Sequence, residues 1–410
     1  MKFLILTQYF PPEVGAPQTR LLELGINLKK LGHEVTVLTA MPNYPQMEVH
    51  PKYKRKFYVN EQIEGINVHR SWIYASKNRA IYSRLLNYFS FVFTSLIIGL
   101  TKTGKFDYIL CQSPSLFLGI SAYVLKVTKK TQLIFNVSDL WPESAEKLGL
   151  VTNQAFLKLS SILENFMYRN SELITGQTQG IINNIIQRHP NKKILWLPNG
   201  VNIESINSKP VNAHWRINNG YKPNDFVLLY AGMIGYAQGL ETIVLAAEQL
   251  KSNVNIKFCI VGSGPEKFKI EELIEQKRLK NIKTYNTVSK QEVASIIYSS
   301  NAGVIPLKKI DLFKHAIPSK VFEFLAYKKP ILLGVEGEAK RLFIDKGKCG
   351  ISFTPEDVNE LCDSILSLQS DKDLSTEMGK NGYSFVKEHF THIKRAEDLI
   401  ESVNNLPKSN

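Results

Sequence analysis

One segment near the carboxyl end brings together a lysine, a glutamate and a helix start. The sequence from Phe313 to Gly334 predicts one short helix, a turn and a buried strand. Pro318 suits the first turn of that helix, where the N–H groups of Ser319 and Lys320 have no backbone partner. Free amides beside a lysine could hold a diphosphate, and Glu323, one turn further on, could accept from two ribose hydroxyls. The alternative is an amphipathic helix whose lysine and glutamate are only solvated.

A second candidate segment is the loop SDLWPESAEKLG, which follows a predicted buried strand at Gln132–Val137. Asp139, Trp141 and Glu143 stand close together in this loop. Carboxylates that accept hydroxyl protons and an aromatic ring that stacks on a sugar face are suited to carbohydrate binding. The alternative is that Asp139 caps a helix and Trp141 fills the core.

Two glycine-rich turns follow predicted strands in the second half of the chain. Glycine lets the backbone approach a bulky anion closely. The spacing is not the dinucleotide fingerprint, and no acidic residue follows at the distance that the ribose of NAD would need. The glycines are Gly232, Gly235 and Gly239 in the first turn, and Gly262 and Gly264 in the second.

These segments must be positioned by alternating strands and helices. The chain opens with a predicted strand at Phe3–Thr7, a helix at Gln18–Leu31 and a strand at Glu34–Thr39. The loop between the first strand and this helix, QYFPPEVGAPQTR, contains Gly15 and opens at the carboxyl edge of the sheet. Ligands bind at that edge in open α/β sheets, so we favour a binding role over a rigid connector.

The length of 410 residues is too great for one ordinary core and predicts two domains, with a hinge at LPNGVNIESI over 197–206. The 44% hydrophobic and 21% charged residues are typical of a globular protein. The four cysteines are scattered, which disfavours a zinc site or a disulfide framework. The short apolar run at the amino end predicts a first strand rather than a signal peptide.

A formal net charge of +14 requires an acidic partner or surface. The basic residues are too dispersed to predict nucleic-acid binding, which leaves anionic lipid and diphosphates. The uncharged stretch Leu85–Thr101 lies between Arg79 and Arg84 on one side and Lys102 and Lys105 on the other. It predicts either a buried core helix or a helix at a membrane interface. A transmembrane span is disfavoured because a strand at 107–112 continues the α/β alternation.

Six motifs in order give the chain a resemblance to the family-four glycosyltransferases of the GT-B fold, and within them to the WbuB-type enzymes of bacterial surface polysaccharides. The resemblance covers essentially the whole length. The motifs are QYFPPEVGAPQTR, DLWPESA at 139–145, LPNGV at 197–201, GMIGYAQGL at 232–240, VGSGPE at 261–266 and PSKVFEFLAYKKPIL at 318–332.

The resemblance implies an α/β fold of two Rossmann-like domains that face each other across a cleft. Residues 1–200 would form the acceptor-binding domain and residues 201–388 the nucleotide-sugar-binding domain. Residues 389–410 would form a C-terminal helix that crosses back to the first domain.

The motif positions assign roles in the donor site. Glu323 matches the second glutamate of the family's E-x7-E motif, whereas the first falls at His315. The usual arginine and lysine of the glycine loop fall at Met233 and Gln238, so the diphosphate needs another cation. We expect Lys320 to supply it.

Carried over residue by residue, the resemblance implies three sets of site residues, with Lys267 as a reserve cation. The donor-binding residues are Gly232, Gly235, Gln238, Gly262, Gly264, Pro265, Tyr285, Pro318, Ser319, Lys320, Val321 and Glu323. The acceptor-binding residues are Gly15, Arg20, Trp141 and Glu143, and the catalytic residues are Asp139, Lys320, His315 and Glu323.

The resemblance implies a hexosyltransferase that retains the anomeric configuration. No DxD-type carboxylate pair stands where it would hold a cation, so we expect the reaction to be independent of a metal. The donor would be a UDP-sugar, with N-acetyl-L-fucosamine or a related N-acetylamino sugar favoured, and no cofactor is expected. The acceptor would be a polyprenyl-diphosphate-linked saccharide for O-antigen, lipopolysaccharide or capsule. The protein would lie peripherally on anionic lipid at the cytoplasmic face of the bacterial inner membrane. Alternatives are a UDP-sugar 2-epimerase and an inactive nucleotide-sugar-binding protein at the membrane surface.

Overall fold

The computed structural model describes residues 1–44, 46–78, 81–149, 151–208, 212 and 214–407. Arg79, one of the basic residues before the uncharged stretch, lies outside this part of the chain, as do the last three residues. The chain divides into two compact units. One comprises Met1–Asn199 with His392–Asn410, and the other comprises Gly200–Thr391.

The first unit is built on an eight-stranded sheet in the order β3-β4-β2-β1-β5-β6-β7-β8. Only β3 is antiparallel to its neighbour. The strands are nearly continuous apolar runs because helices cover both faces, and every residue of β6 is buried. The strands are β1 Lys2–Leu6, β2 Glu34–Ala40, β3 Tyr58–Ile63, β4 Ile66–Ser71, β5 Tyr108–Ser113, β6 Gln132–Val137, β7 Leu173–Gly176 and β8 Ile194–Trp196.

Six helices of this unit precede the second unit. A core that includes Leu4 and Leu6 packs against α2, α3, α5 and α6, and a core that includes Phe3 and Ile5 packs against α1. The helices are α1 Ala16–Lys30, α2 Ile81–Thr101, α3 Leu118–Lys129, α4 Glu143–Lys147, α5 Gln154–Asn170 and α6 Gln179–Arg188.

The second unit is built on a six-stranded parallel sheet in the order β11-β10-β9-β12-β13-β14. Its strands are β9 Phe226–Ala231, β10 Ile256–Val261, β11 Ile282–Tyr285, β12 Ala302–Pro306, β13 Ile331–Gly334 and β14 Gly350–Ser352. Its helices are α7 Ile203–Ser208, α8 Trp215–Asn218, α9 Glu241–Gln249, α10 Lys267–Gln276, α11 Lys290–Ser299, α12 Lys320–Ala326, α13 Val358–Ser370 and α14 Lys372–His389, with a π-helical segment at Lys340–Lys346.

The last helix, α15 at His392–Asn404, belongs to the first unit. Its buried face includes Leu399 and Val403, which join the same core as Leu21 of α1. The chain returns to the first unit at His392 rather than at 389, because α14 continues to His389 and Phe390 packs on Phe322 in the second unit.

Each sheet has a point where the strand order reverses. In the first unit it lies between β1 and β5, and in the second between β9 and β12. Loops on either side of such a point diverge and leave a crevice at the carboxyl edge, where ligands of doubly wound sheets bind. Two Rossmann-like α/β units confirm the predicted fold class.

Helix α2 contains the uncharged stretch. Over Tyr82–Thr101 it is long and apolar enough to cross a membrane, by length and composition only, and 39% of its most apolar window is buried. One face of α2 therefore packs in the core, and the opposite face exposes apolar side chains.

Candidate active site

The two glycine loops of the second unit are joined backbone to backbone. The Ile234 amide donates to the Ser263 carbonyl at 3.0 Å, and the Glu266 amide donates to the Ile234 carbonyl at 3.1 Å. A side chain at Gly262 would collide with the Gly232 carbonyl, and one at Gly264 would collide with the backbone of Ile234. Gly262 and Gly264 therefore serve first to bring the loops after β9 and β10 together.

Lys320 contacts the glycine loop after β9. It begins α12, which follows β12 on the other side of the point where the strand order reverses. Its Nζ donates to Gln238 Oε1 at 3.1 Å and lies 4.9 Å from the centre of the Tyr230 ring. A side chain at Gly232 would collide with the Lys320 chain, so the two residues are in direct contact. The lysine thus lies against the glycine loop that lacks the family's own arginine and lysine.

The environment of Lys320 makes its ammonium costly to hold without an anion. Burial lowers the pKa of Lys320 to about 8, and the negative charge of Glu323 partly opposes this shift. A ligand diphosphate would supply the missing negative charge.

Tyr230 orients the glycine loop, and the sequence reasoning missed it. This side chain is fully buried in β9, and its hydroxyl donates to the Met233 carbonyl and to Gln238 Oε1, the latter at 3.3 Å. A buried tyrosine hydroxyl needs a hydrogen-bond partner. A tyrosine one residue before the end of an apolar strand could therefore have indicated a contact with the loop that follows.

The predicted helix start is corrected in two respects. Helix α12 begins at Lys320, so Pro318 precedes the helix and Ser319 is its N-cap. The Val321 amide donates to the Pro318 carbonyl at 3.2 Å and is not available to a diphosphate. With only seven residues in α12, the helix dipole is small, and Lys320 is the principal positive group at this end.

Three other predicted site residues of the second unit are exposed. Glu323 is exposed on α12, His315 is exposed at the end of a 3-10 turn, and Pro265 is exposed in the second glycine loop. Tyr285, at the end of β11, lies 3.5 Å from the Tyr221 hydroxyl, measured between hydroxyl oxygens. The reserve cation Lys267 is held elsewhere, because it donates to Asn286 and pairs with Glu271.

In the first unit, Arg20 lies at the carboxyl edge of the sheet with neutral partners. It donates to Gln112 Oε1 at 2.9 Å, Ser138 Oγ at 2.7 Å and Asn199 Oδ1 at 3.1 Å. Burial lowers the pKa of Arg20 to about 10. No described carboxylate forms an ion pair with it, so its positive charge is available to an anionic ligand.

Asp139 and Glu143 follow β6 as predicted from the sequence. Ser144 Oγ donates to Asp139 Oδ2 at 2.8 Å. Burial raises the pKa of Asp139, and the charge of Glu143 adds to the rise. Glu143 pairs with Lys147 at 2.6 Å and accepts from Asn184 at 3.3 Å. Asp139 therefore has the environment of a proton acceptor more clearly than Glu143 does.

Trp141 and Gly15 have structural roles in the first unit, and packing of Trp141 in the core was the alternative that the sequence left open. Trp141 is half-buried, and its ring makes edge contacts with Phe117 at 5.7 Å and Phe156 at 6.0 Å between centroids. Gly15 precedes α1 with extended backbone, and the Gln18 side chain covers it.

Glu13 was missed as a candidate, although it organises the loop after β1. Its buried carboxylate accepts from the amides of Phe10, Asn43 and Tyr44 at 3.2, 2.8 and 2.8 Å. These bonds join the first loop to the loop after β2. A lone glutamate between prolines and a glycine was the only signal in the sequence.

Two family profiles match the chain. Residues 212–385 match the profile described as Glycosyl transferases group 1. Residues 15–200 match the profile described as Glycosyl transferase 4-like domain. Both profiles describe glycosyltransferase domains and together they span most of the chain, so the chain is a glycosyltransferase.

Three known proteins are similar to this glycosyltransferase over most or nearly all of its length. It is 25% identical to the colanic acid biosynthesis glycosyl transferase WcaI of Escherichia coli, over 80% of this chain and 81% of that protein. It is 22% identical to the alpha-monoglucosyldiacylglycerol synthase of Acholeplasma laidlawii, over 98% of each chain. The structure of Anabaena HepE in complex with UDP and glucose matches with a TM-score of 0.72 and 15% identity, over 99% of this chain and 100% of that one. This structural neighbour has the GT-B fold, and so does this glycosyltransferase.

The described part of the glycosyltransferase contains no group of three or more His, Cys, Asp or Glu side chains that could hold a metal ion. The absence of a metal requirement stays a prediction.

Proposed function

We propose that this glycosyltransferase is a retaining, metal-independent hexosyltransferase that uses a UDP-sugar. The position of Lys320 is the observation that carries the proposal. Its ammonium lies against Gly232 and Gln238, on the crevice side of the second sheet, and burial lowers its pKa to about 8. A structural neighbour that is described as a complex with UDP and glucose supports the nucleotide.

The chemistry follows from charge. An acceptor hydroxyl oxygen attacks the anomeric carbon, and the bond from that carbon to the diphosphate oxygen breaks with its electron pair going to the diphosphate. Lys320 stabilises the developing negative charge, which is the kind of interaction that contributes most to such reactions. The hydroxyl proton passes to the leaving diphosphate. Attack on the leaving-group face retains the anomeric configuration, so no protein nucleophile is needed.

For the acceptor we propose a polyprenyl-diphosphate-linked saccharide in the synthesis of O-antigen, capsule or another surface polysaccharide. Arg20 supports this assignment because its charge meets only neutral side chains at the carboxyl edge of the first sheet. The names of the relatives point to a colanic acid pathway and to a glycolipid. N-acetyl-L-fucosamine is favoured as the sugar by the WbuB-type resemblance alone.

We place the protein at the cytoplasmic face of the inner membrane, where polyprenyl-linked substrates are presented. The apolar exposed side of α2 and the net charge of +14 support a peripheral attachment to anionic lipid.

The decisive experiment incubates the protein with a panel of UDP-sugars and polyprenyl-diphosphate-linked saccharides, with and without a metal chelator. Mass spectrometry of the lipid product and nuclear magnetic resonance of its new linkage should show acceptor-dependent transfer with retained configuration, unaffected by chelation. Conversion of a UDP-sugar to its C2 epimer without acceptor would support the epimerase. UDP binding without transfer to any acceptor would support the inactive binding protein.

A further inference from the structure

The outward side of α2 is unlike that of an ordinary surface helix. Exposed apolar side chains recur along one stripe, at spacings that place them on a single helical face. A helix at a protein surface normally presents charged and polar residues there. These side chains are Tyr82, Leu86, Phe89, Phe93 and Leu100, and Phe93 is 66% exposed.

Two neighbouring helices extend this stripe sideways. Helix α3 exposes Ile120 and Val127, and α5 exposes Leu159, Ile162 and Phe166, with Leu159 at 67%. Together with the stripe of α2, these side chains form a surface that we call the apolar platform. Contiguous apolar surface on this scale indicates a binding face, since scattered single side chains are the norm on soluble proteins.

The three helices are packed rigidly beneath the platform. Gly99 of α2 lies against Leu125 of α3, and Gly119 at α3 lies against Met167 of α5. Ser95 Oγ donates to Ser121 Oγ at 3.1 Å across the first contact. The platform is therefore preformed in this fold, and no hinge is needed to expose it.

The three helices of the platform carry almost no acidic side chains of their own. Helices α2 and α3 contain no acidic residue, and the one acidic residue of α5, Glu164, is buried and paired with Arg188 at 2.6 Å. Exposed basic residues lie on or beside these helices, namely Arg84, Lys102, Lys105, Lys130, Lys158 and Arg169. Apolar side chains within a basic border match the hydrocarbon and the anionic headgroups of a lipid surface.

We propose that the apolar platform of α2, α3 and α5 inserts into the interfacial region of an anionic bilayer. This inference deepens the proposed peripheral location and assigns it to named side chains on three helices. The platform also reaches the predicted acceptor loop. The ring centroid of Phe89 lies 4.9 Å from that of Phe117, and Phe117 contacts Trp141. A lipid chain that leaves an acceptor near Asp139 would meet an aromatic surface that continues into the platform.

The test is co-sedimentation of the full chain with vesicles of phosphatidylethanolamine and phosphatidylglycerol, compared with vesicles of phosphatidylcholine. We expect binding to the anionic vesicles, weakened about tenfold or more by Phe93→Ser and further by adding Leu159→Ser. Lys102→Glu with Lys105→Glu should weaken binding to anionic vesicles while leaving the weak binding to phosphatidylcholine unchanged.

Val254→Ser is the matched control, because Val254 is 72% exposed and belongs to the second unit rather than to one of the three helices. It should bind vesicles as the wild type does. Equal binding by Phe93→Ser, Leu159→Ser and the control would overturn the platform. A dimer in sedimentation velocity that Phe93→Ser dissociates, without vesicle binding, would show instead that a second copy covers this face.

UDP binding separates this inference from the proposed function. A protein that binds vesicles through the platform but binds no UDP would retain the membrane surface and refute the donor assignment. A protein that binds UDP equally well in wild type and Phe93→Ser but binds no vesicle would refute the platform alone.

Discussion

At the scale of single residues, the proposed donor site depends on a lysine in an unusual position. Lys320 occupies the space beside the glycine loop and donates to Gln238, which stands where the family pattern has a lysine. The positive charge has thus been supplied from the helix after β12 instead of from the loop after β9. Glu323 is exposed on the same helix, where the resemblance implies that it binds the ribose.

The different roles of Lys320 and Glu323 can be separated kinetically. Lys320→Ala should lower kcat by about 100-fold or more, because the lysine acts on charge that develops in the transition state. Glu323→Ala should mainly weaken UDP binding, by about tenfold or more, since it removes charge-assisted hydrogen bonds. Lys267→Ala is the control, because that lysine is already engaged by Asn286 and Glu271. Equal effects of Lys320→Ala and Lys267→Ala on kcat would contradict the assignment.

The pKa of Lys320 predicts how activity depends on pH. Burial lowers the pKa of Lys320 to about 8, so its side chain is positively charged below this pH and loses the charge as the pH rises above it. The rate at low donor concentration should therefore fall above about pH 8. In Lys320→Arg the fall should move to higher pH, since a guanidinium stays charged, even if the maximum rate is lower. Identical profiles of kcat/KM against pH in the two proteins would refute this role.

At the scale of elements, the donor site rests on two loops that only glycine allows to meet. Gly262 has a φ of 151°, and a Cβ added to it would collide with the Gly232 carbonyl. Gly235 has a φ of −123°, and a Cβ added to it would make ordinary contact with the Met233 side chain alone among the described residues. The two glycines therefore differ in what a side chain would cost.

Gly262→Ala should destabilise the second unit by about 1–3 kcal/mol and weaken UDP binding, because its Cβ would separate the loops after β9 and β10. Gly235→Ala should leave the melting temperature almost unchanged. Thermal unfolding of both variants, together with UDP titration, checks this. A loss of stability in Gly235→Ala as large as that in Gly262→Ala would show that the contact between the loops is not the reason for the glycines.

Much of the element order could be predicted from apolar runs. The strand predicted at Gln132–Val137 has those bounds in the structure, and the strands predicted at Phe3–Thr7 and Glu34–Thr39 differ by one residue from β1 and β2. Apolar runs bounded by turn residues indicate buried strands well, because parallel strands are covered on both faces. Helix α12 begins later than predicted because Pro318 and Ser319 precede it, and no local pattern separates a proline before a helix from one in its first turn.

The contacts within the site could not be predicted in the same way. Lys320 and Gln238 are 82 residues apart, and their contact depends on the order of β9 and β12 in the sheet. Arg20 likewise meets Gln112, Ser138 and Asn199 through the fold. The sequence motifs predict which residues form the site, whereas the strand order determines which of them meet.

At the scale of the whole molecule, two doubly wound units are formed by one chain that returns to the first of them. The C-terminal helix α15 completes the core against α1, so the first unit requires both ends of the chain. The net charge of +14 and the basic border of the apolar platform are consistent in sign with the anionic lipid and the diphosphates that we propose as partners.

The central claim is that the crevice beside Lys320 and Glu323 binds the UDP part of a nucleotide sugar. Calorimetric titration of the full chain with UDP, GDP, ADP and NAD tests it most directly, repeated with Glu323→Ala. The account predicts selective UDP binding in the wild type and its loss or strong weakening in the variant. Binding of NAD, or UDP binding that is indifferent to Glu323, would contradict it.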